Sequence, residues 1–245
     1  MSDSSLAPQN ADLLAAASPP PGAEATHSEA HGSGRHAHQF EDMAQQTEAD
    51  GLGMWLFLAT EVMLFGAIFA SYIVYRRAYY EAFAEGSHEL YFWLGTLNTV
   101  VLLTSSFFVV LAVHAARLGD SKAITHWLLW TVAMGGVFLG VKAIEYTIDY
   151  KDGLIPFFGW WDAGKHPNLQ MKLFFVFYFF FTGLHALHMI IGMSVVAGIA
   201  WHAHRGKYDK VYHTPVEIVG LYWHFVDIVW VFLLPTLYMV SPHYA

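Results

Sequence analysis

The stretch Trp223-His224-Phe225-Val226-Asp227-Ile228-Val229-Trp230 sets a histidine and an aspartate three residues apart inside an otherwise apolar run, Val216 to Val240. A run of that length crosses bilayer hydrocarbon, which takes about 20 residues at 1.5 Å each. Ionisable groups at that depth cost at least a few kcal/mol each, so they face protein and not lipid. The segment therefore predicts one helix of a bundle.

Working outward, four more apolar runs precede it, at Gly53–Tyr75, Leu94–Ala116, Trp127–Ile148 and Leu173–Trp201. Polar breaks separate the five, at Arg76–Trp93, Arg117–His126, Asp149–Lys172 and His202–Pro215. A lipid-embedded segment satisfies its own backbone only as a helix, and the alternating pattern of barrel strands is not seen. The expected fold class is all-α: a polytopic membrane protein, a five-transmembrane-helix bundle occupying 51–245 with helices at about 53–75, 94–116, 127–148, 173–201 and 216–240. Trp55, Trp93, Trp127, Trp130, Trp160, Trp161, Trp201 and Tyr238 fall near the span ends and suit interfacial belts.

Composition agrees. The chain has 245 residues, 56% hydrophobic and only 13% charged, where a soluble domain carries about a quarter charged residues. The net charge of −8 comes from acids in the tail and loops and leaves no basic surface for nucleic acid. Cysteine is absent, which excludes thiolate metal sites, iron–sulfur clusters, disulfides and a cysteine nucleophile. Residues 1–50 are rich in Ala, Ser, Pro, Gly, Glu and His, and lack both apolar periodicity and a basic start. They read as a disordered N-terminal tail and not as a cleaved signal peptide. Its histidines, His27, His31, His36 and His38, would give adventitious metal affinity.

Five spans put the tail on the same side as Arg117, Lys122, Arg205, Lys207 and Lys210, opposite Arg76, Arg77, Lys151, Lys165 and Lys172. With Arg35 the balance is six against five, and the tail-side loops are shorter and denser. The positive-inside rule thus favours a cytoplasmic N-terminus.

Several side chains could carry chemistry. Glu61 lies nine residues into the first run, either as a proton or lipid-associated carboxyl or as a neutral acid hydrogen-bonded across helices. Lys142 and Glu145, three apart on one helical face, predict an intrahelical ion pair. His185, His188 and Gly192 form one stripe, and Gly220, His224 and Asp227 another. Small residues let helices approach, so both stripes, with Gly136 and Gly140, are expected at helix–helix contacts. His185, His188, His224 and Asp227 could hold a metal or, alternatively, form a buried His–Asp hydrogen-bond network; no second matched ligand set accompanies them. His185 and His188 project together and cannot be the two opposite ligands of one haem. Phosphate-cradling loops and nucleophile elbows are absent from the sequence. The five spans do not divide into transporter-like repeats, and only Pro235 interrupts one.

Five strings carry a resemblance: 54–62 (MWLFLATEV), 97–103 (LNTVVLL), 143–146 (AIEY), 183–192 (GLHALHMIIG) and 222–230 (YWHFVDIVW). In this order they resemble subunit III of the haem–copper terminal oxidases, cytochrome c oxidase and its quinol-oxidase relatives. The resemblance runs from about residue 52 to the C-terminus and is most specific in the last two strings. Longer members have seven transmembrane helices; this chain resembles the shorter bacterial form without the first two, which in the longer members help to form a lipid cleft.

The resemblance implies an accessory subunit with no redox cofactor or metal of its own. It would pack mainly against subunit I, with subunit II and other respiratory-complex subunits nearby, and bind structural phospholipids. The partner subunits would carry the haems and copper that reduce O2 to water and translocate protons. It further implies a bacterial cytoplasmic membrane location with the N-terminus cytoplasmic and the C-terminus periplasmic. Glu61, Glu145, His185, His188, His224 and Asp227 would be its intramembrane proton- or lipid-associated positions. Alternative expectations are a subunit III-like partner of nitric oxide reductase, or a stand-alone haem or metal redox protein.

Overall fold

The computed structural model describes residues 43–157, 159–166, 168–208 and 213–240. The tail histidines lie outside the described residues. Six helices follow in order: α1 Met43–Ala78, α2 Tyr80–His88, α3 Phe92–Leu118, α4 Ser121–Asp152, α5 Leu169–His204 and α6 Thr214–Tyr238. Five of them, all but the short α2, are long and apolar enough to cross a membrane, and no strand occurs among the described residues. The protein is a polytopic membrane helical bundle.

The helices run beyond the apolar runs at almost every end, and at several ends a cap terminates them. Gly119 (φ 76°) and Gly153 (φ 75°) take the left-handed conformation that closes α3 and α4, one that only glycine adopts without strain. Asp120 then caps α4 by accepting the amides of Lys122 and Ala123 at 3.1 Å each. Asn168 accepts Gln170 N–H at 3.0 Å and opens α5, while Pro215 stands in the first turn of α6. α1 is already helical at Met43, inside the stretch assigned to the tail.

α3 and α4 bury stripes at alternating steps of three and four. On α3 they are Gly95, Asn98, Leu102, Ser105, Val109, Ala112 and Ala116; on α4 they are Ile124, Leu128, Thr131, Gly135, Phe138, Lys142, Glu145 and Asp149. That period is the one with which neighbouring helices mesh along a shared seam. α3 packs against α4 and α6, and α5 against α4 and α6. The interior is aromatic: Phe138, Phe174, Phe175, Phe181, Trp223 and Trp230 are fully buried. α2, between α1 and α3, inserts Phe83 between Tyr72 and Phe174, with ring centroids at 5.4 and 5.6 Å.

Two expectations need correction. Gly136 and Gly140 lie off the α4 stripe and are exposed; a Cβ at Gly140 would meet nothing within 4 Å. The glycine at the contact is Gly135, against Met193 and Trp223. Tyr238 is not interfacial but fully buried, whereas Trp55, Trp93, Trp130, Trp160 and Trp201 are exposed as a belt requires. Gly192 and Gly220 do sit at contacts, with different neighbours: Gly192 against Tyr222 and Trp223 of α6, Gly220 against Val109 and Val113 of α3.

Candidate functional site

Three separate polar clusters stand out among the described residues. The first joins α1 to α5. Glu61 Oε2 lies 2.9 Å from His188 Nε2, while His188 Nδ1 lies 2.8 Å from the Leu184 carbonyl. A carbonyl only accepts, so Nδ1 carries hydrogen. The contact between Nε2 and the carboxyl then needs one more proton, either on the acid or on the ring. In both forms the pair is neutral overall and shares a single proton. That resolves how a carboxyl survives at this depth. The Tyr222 hydroxyl donates to the His188 carbonyl at 3.0 Å, and the Phe65 ring covers the imidazole with centroids 5.3 Å apart.

The second cluster closes one end of the four-helix core. Lys142 Nζ donates to Glu145 Oε2 at 2.9 Å, to the Tyr178 hydroxyl at 3.2 Å and to the Tyr238 hydroxyl at 3.0 Å. Both hydroxyls donate on to Glu145 Oε1, Tyr178 at 2.9 Å. The ammonium thus spends all three hydrogens and the carboxylate accepts from three donors, as a buried ion pair requires. The Nζ also lies 5.0 Å from the Tyr178 ring centroid and 5.3 Å from that of Trp230. The ion pair expected from the spacing forms, and two tyrosines from other helices complete it. One turn on, Asp149 is buried and neither of its oxygens completes a hydrogen bond. The sequence reading missed it, although it continues the Lys142–Glu145 stripe by a step of four.

The third cluster lies between α3 and α6. Ser106 Oγ meets His224 Nδ1 at 2.6 Å. Asp227, a turn along, is 3% exposed, and neither oxygen completes a hydrogen bond, although the Ser106 hydroxyl interacts with it. Beside it, Trp223 Nε1 donates to Ser105 Oγ and Trp230 Nε1 to Thr99 Oγ1, both at 3.1 Å. Ser106 was not legible as a site residue, since a serine in an apolar helix is ordinary.

The expected His–Asp network is therefore not what forms. His188 turns to Glu61, His224 to Ser106, and His185 Nε2 donates to the Val226 carbonyl at 3.1 Å. The reason is helical geometry. His185 lies on the α5 face toward Phe138 and Trp230, at centroid distances of 5.3 and 5.2 Å, and His188 on the face toward α1. Among the described residues no three His, Asp or Glu side chains gather as a metal would require.

Comparison with known proteins addresses the same chain. The family described as cytochrome c oxidase subunit III matches residues 26–152 and 168–242. Cytochrome c oxidase subunit 3 of Thermostichus vulcanus is 33% identical over 208 residues, covering 84% of this chain and 92% of that protein. The protein of the same name from Synechocystis is 32% identical over 189 residues, 77% of this chain and 74% of its own length. A probable quinol oxidase subunit 3 of Staphylococcus aureus is 28% identical over 199 residues, 81% and 92% of the two chains. The matched segments contain all three clusters, and with five spans and that coverage the chain belongs to the cytochrome c oxidase subunit III family.

Proposed function

We propose that this chain is the accessory, non-redox subunit III of a bacterial aerobic haem–copper oxidase. It packs against subunit I, with subunit II nearby, and sustains proton uptake and turnover, while haems and copper reside in the partner subunits. The observation that carries this reading is the family match across most of the chain. Relatives named for both cytochrome c and quinol oxidases fit a subunit that leaves the electron donor to others. In this reading the chain lies in the cytoplasmic membrane, with the N-terminus cytoplasmic and the C-terminus periplasmic.

Glu61, Glu145, His185, His188, His224 and Asp227 are its intramembrane proton- or lipid-associated residues. Phospholipid binding is supported by a groove of about 330 Å³ between α1 and α5, lined by Leu64, Ile68, Val176, Phe177 and Phe180, which suits an acyl chain. The test is purification in mild detergent with mass spectrometry and absorption spectroscopy. Haem-bearing subunits should co-purify, and Glu61→Gln should leave the haem spectrum intact while altering turnover or its durability. A stoichiometric Soret band from the isolated chain would refute the assignment.

A further inference from the structure

A groove of about 530 Å³ runs between α4 and α5 at the end of the bundle where α4 begins and α5 ends. Its walls are Thr125 and Leu129 of α4 and Ala197, Ala200 and Trp201 of α5. Ala197 and Ala200 are short, so α5 leaves space beside Leu129. The one hydroxyl on the walls is already spent, because Thr125 Oγ1 donates to the Ser121 carbonyl at 2.8 Å. The walls therefore present hydrocarbon surface, on two helices long and apolar enough to cross a membrane.

Polar chemistry is confined to one end, which His204 and Arg205 close. The Arg205 guanidinium lies over the Trp201 ring, 4.7 Å from its centroid, and this cation–π contact holds the charge at the rim of the groove. The side chain is not needed to finish α5. Backbone N–H groups of Arg205, Gly206 and Lys207 already donate to the carbonyls of Trp201, Ala203 and His202, with Gly206 in the left-handed region at φ 70°. Nor is the charge neutralised, since among the described residues no carboxylate forms an ion pair with Arg205. Arg117, at the mouth of the groove between α3 and α6, differs in just this respect: its Nε lies 2.9 Å from Glu217 Oε1. Asp120, at the start of α4, is occupied in capping the amides of Lys122 and Ala123.

An unneutralised guanidinium at the end of an apolar slot is complementary to a molecule with a hydrocarbon chain and a negative head. Inorganic phosphate would make no use of the slot. A zwitterionic lipid would bring an ammonium group toward the arginine. We propose that the α4–α5 groove binds one anionic phospholipid, its acyl chain along Leu129, Ala197 and Ala200 and its phosphate on Arg205, with His204 beside it. Arginine suits this role because its planar fork can donate two parallel hydrogen bonds to a phosphate. The site is distinct from the groove between α1 and α5, and rests on the oxidase-subunit reading only for the complex in which it is measured.

The test is native mass spectrometry of the assembled complex, washed free of loosely held lipid in mild detergent and titrated with phosphatidylglycerol or with phosphatidylcholine of the same chains. The wild type should bind phosphatidylglycerol more tightly. Arg205→Gln should weaken that binding about fivefold, the worth of one cation near an anionic headgroup, and leave phosphatidylcholine unchanged. Ala197→Phe, at an exposed position, fills the slot while keeping the guanidinium and should also lose the bound phosphatidylglycerol. Lys207→Gln should bind like the wild type, and inorganic phosphate should not compete. Equal binding of the two lipids, wild-type affinity in Arg205→Gln, or displacement by inorganic phosphate overturns the proposal. Failure of haem-bearing subunits to co-purify would instead sink the oxidase-subunit reading, so the two failures are told apart in one preparation.

Discussion

α1 and α6 are both single apolar spans of the same bundle, yet they are held in different ways. Only 11% of the most apolar stretch of α1 is buried inside the protein, against 50% for α6. α6 is locked at close range: its Gly220 admits Val109 and Val113, and Trp223 and Trp230 fill the interior. α1 contributes no such close approach at Gly66, where a Cβ would meet nothing within 4 Å. It docks through rings, Phe69 on Phe181 at 4.8 Å and Tyr72 on Phe177 at 5.7 Å, and through two polar ties. Those ties are Glu61–His188 and the Tyr72 hydroxyl, which donates to the Thr236 carbonyl at 2.8 Å. Thr236 lies in the last turn of α6, where carbonyls have no partner within the helix. In lipid there is no hydrophobic drive between helices, so close packing and polar ties decide how tightly a span is held. The core is therefore packed, and α1 is tethered.

This contrast can be broken or sharpened by substitution. The largest effect belongs to Lys142→Met, which leaves Glu145 charged and buried and should cost about 3–5 kcal/mol. Thermal unfolding in detergent should show the loss, and Lys142→Met with Glu145→Leu should recover most of it. A single variant as stable as the wild type would mean the network is not the core's keystone.

Next, Gly192→Ala puts a methyl group 2.9 Å from Tyr222 Cε1 and should cost about 1–3 kcal/mol by overpacking. Gly140→Ala, in open space, should be silent in the same melt. Equal melting points for the two would erase the distinction between packed and unpacked glycines.

Removing the α1 carboxyl by Glu61→Ala should cost about 1–3 kcal/mol, the penalty for leaving His188 unsatisfied, whereas Glu61→Gln keeps a donor for Nε2 and loses less. The natural chain has no cysteine, so a cysteine pair placed across α1 and α5 reports this directly. Thiol labelling should rise in the alanine variant before the global melt moves. The smallest effect is Tyr72→Phe, worth about 0.5–1.5 kcal/mol for one hydrogen bond, and it too should appear in α1 labelling first.

The five spans were legible in the sequence because hydrocarbon thickness imposes a length and forbids unpaired backbone. The Lys142–Glu145 pair was legible because i,i+3 neighbours meet within one helix. What could not be read was which helix each side chain faces. Gly136-x-x-x-Gly140 looked like the contact, but the period of the buried stripe selects Gly135. Tyr238 looked interfacial by its position near a span end and is instead drawn inward by Glu145. His185 and His188 share a stripe by spacing, yet four-helix packing sends them to different neighbours. Ser106 and Asp149 acquire meaning only from partners more than a helix away or from the lack of them.

The single proton shared by Glu61 and His188 has a further consequence in an energised membrane. Moving an elementary charge through the bilayer field is worth about 2.3 kcal/mol per 100 mV. Because the pair is neutral whichever atom holds the proton, the tether between α1 and α5 has no net charge for the field to pull on. This one tie therefore adds no net charge through which the membrane voltage could pull α1 away from α5.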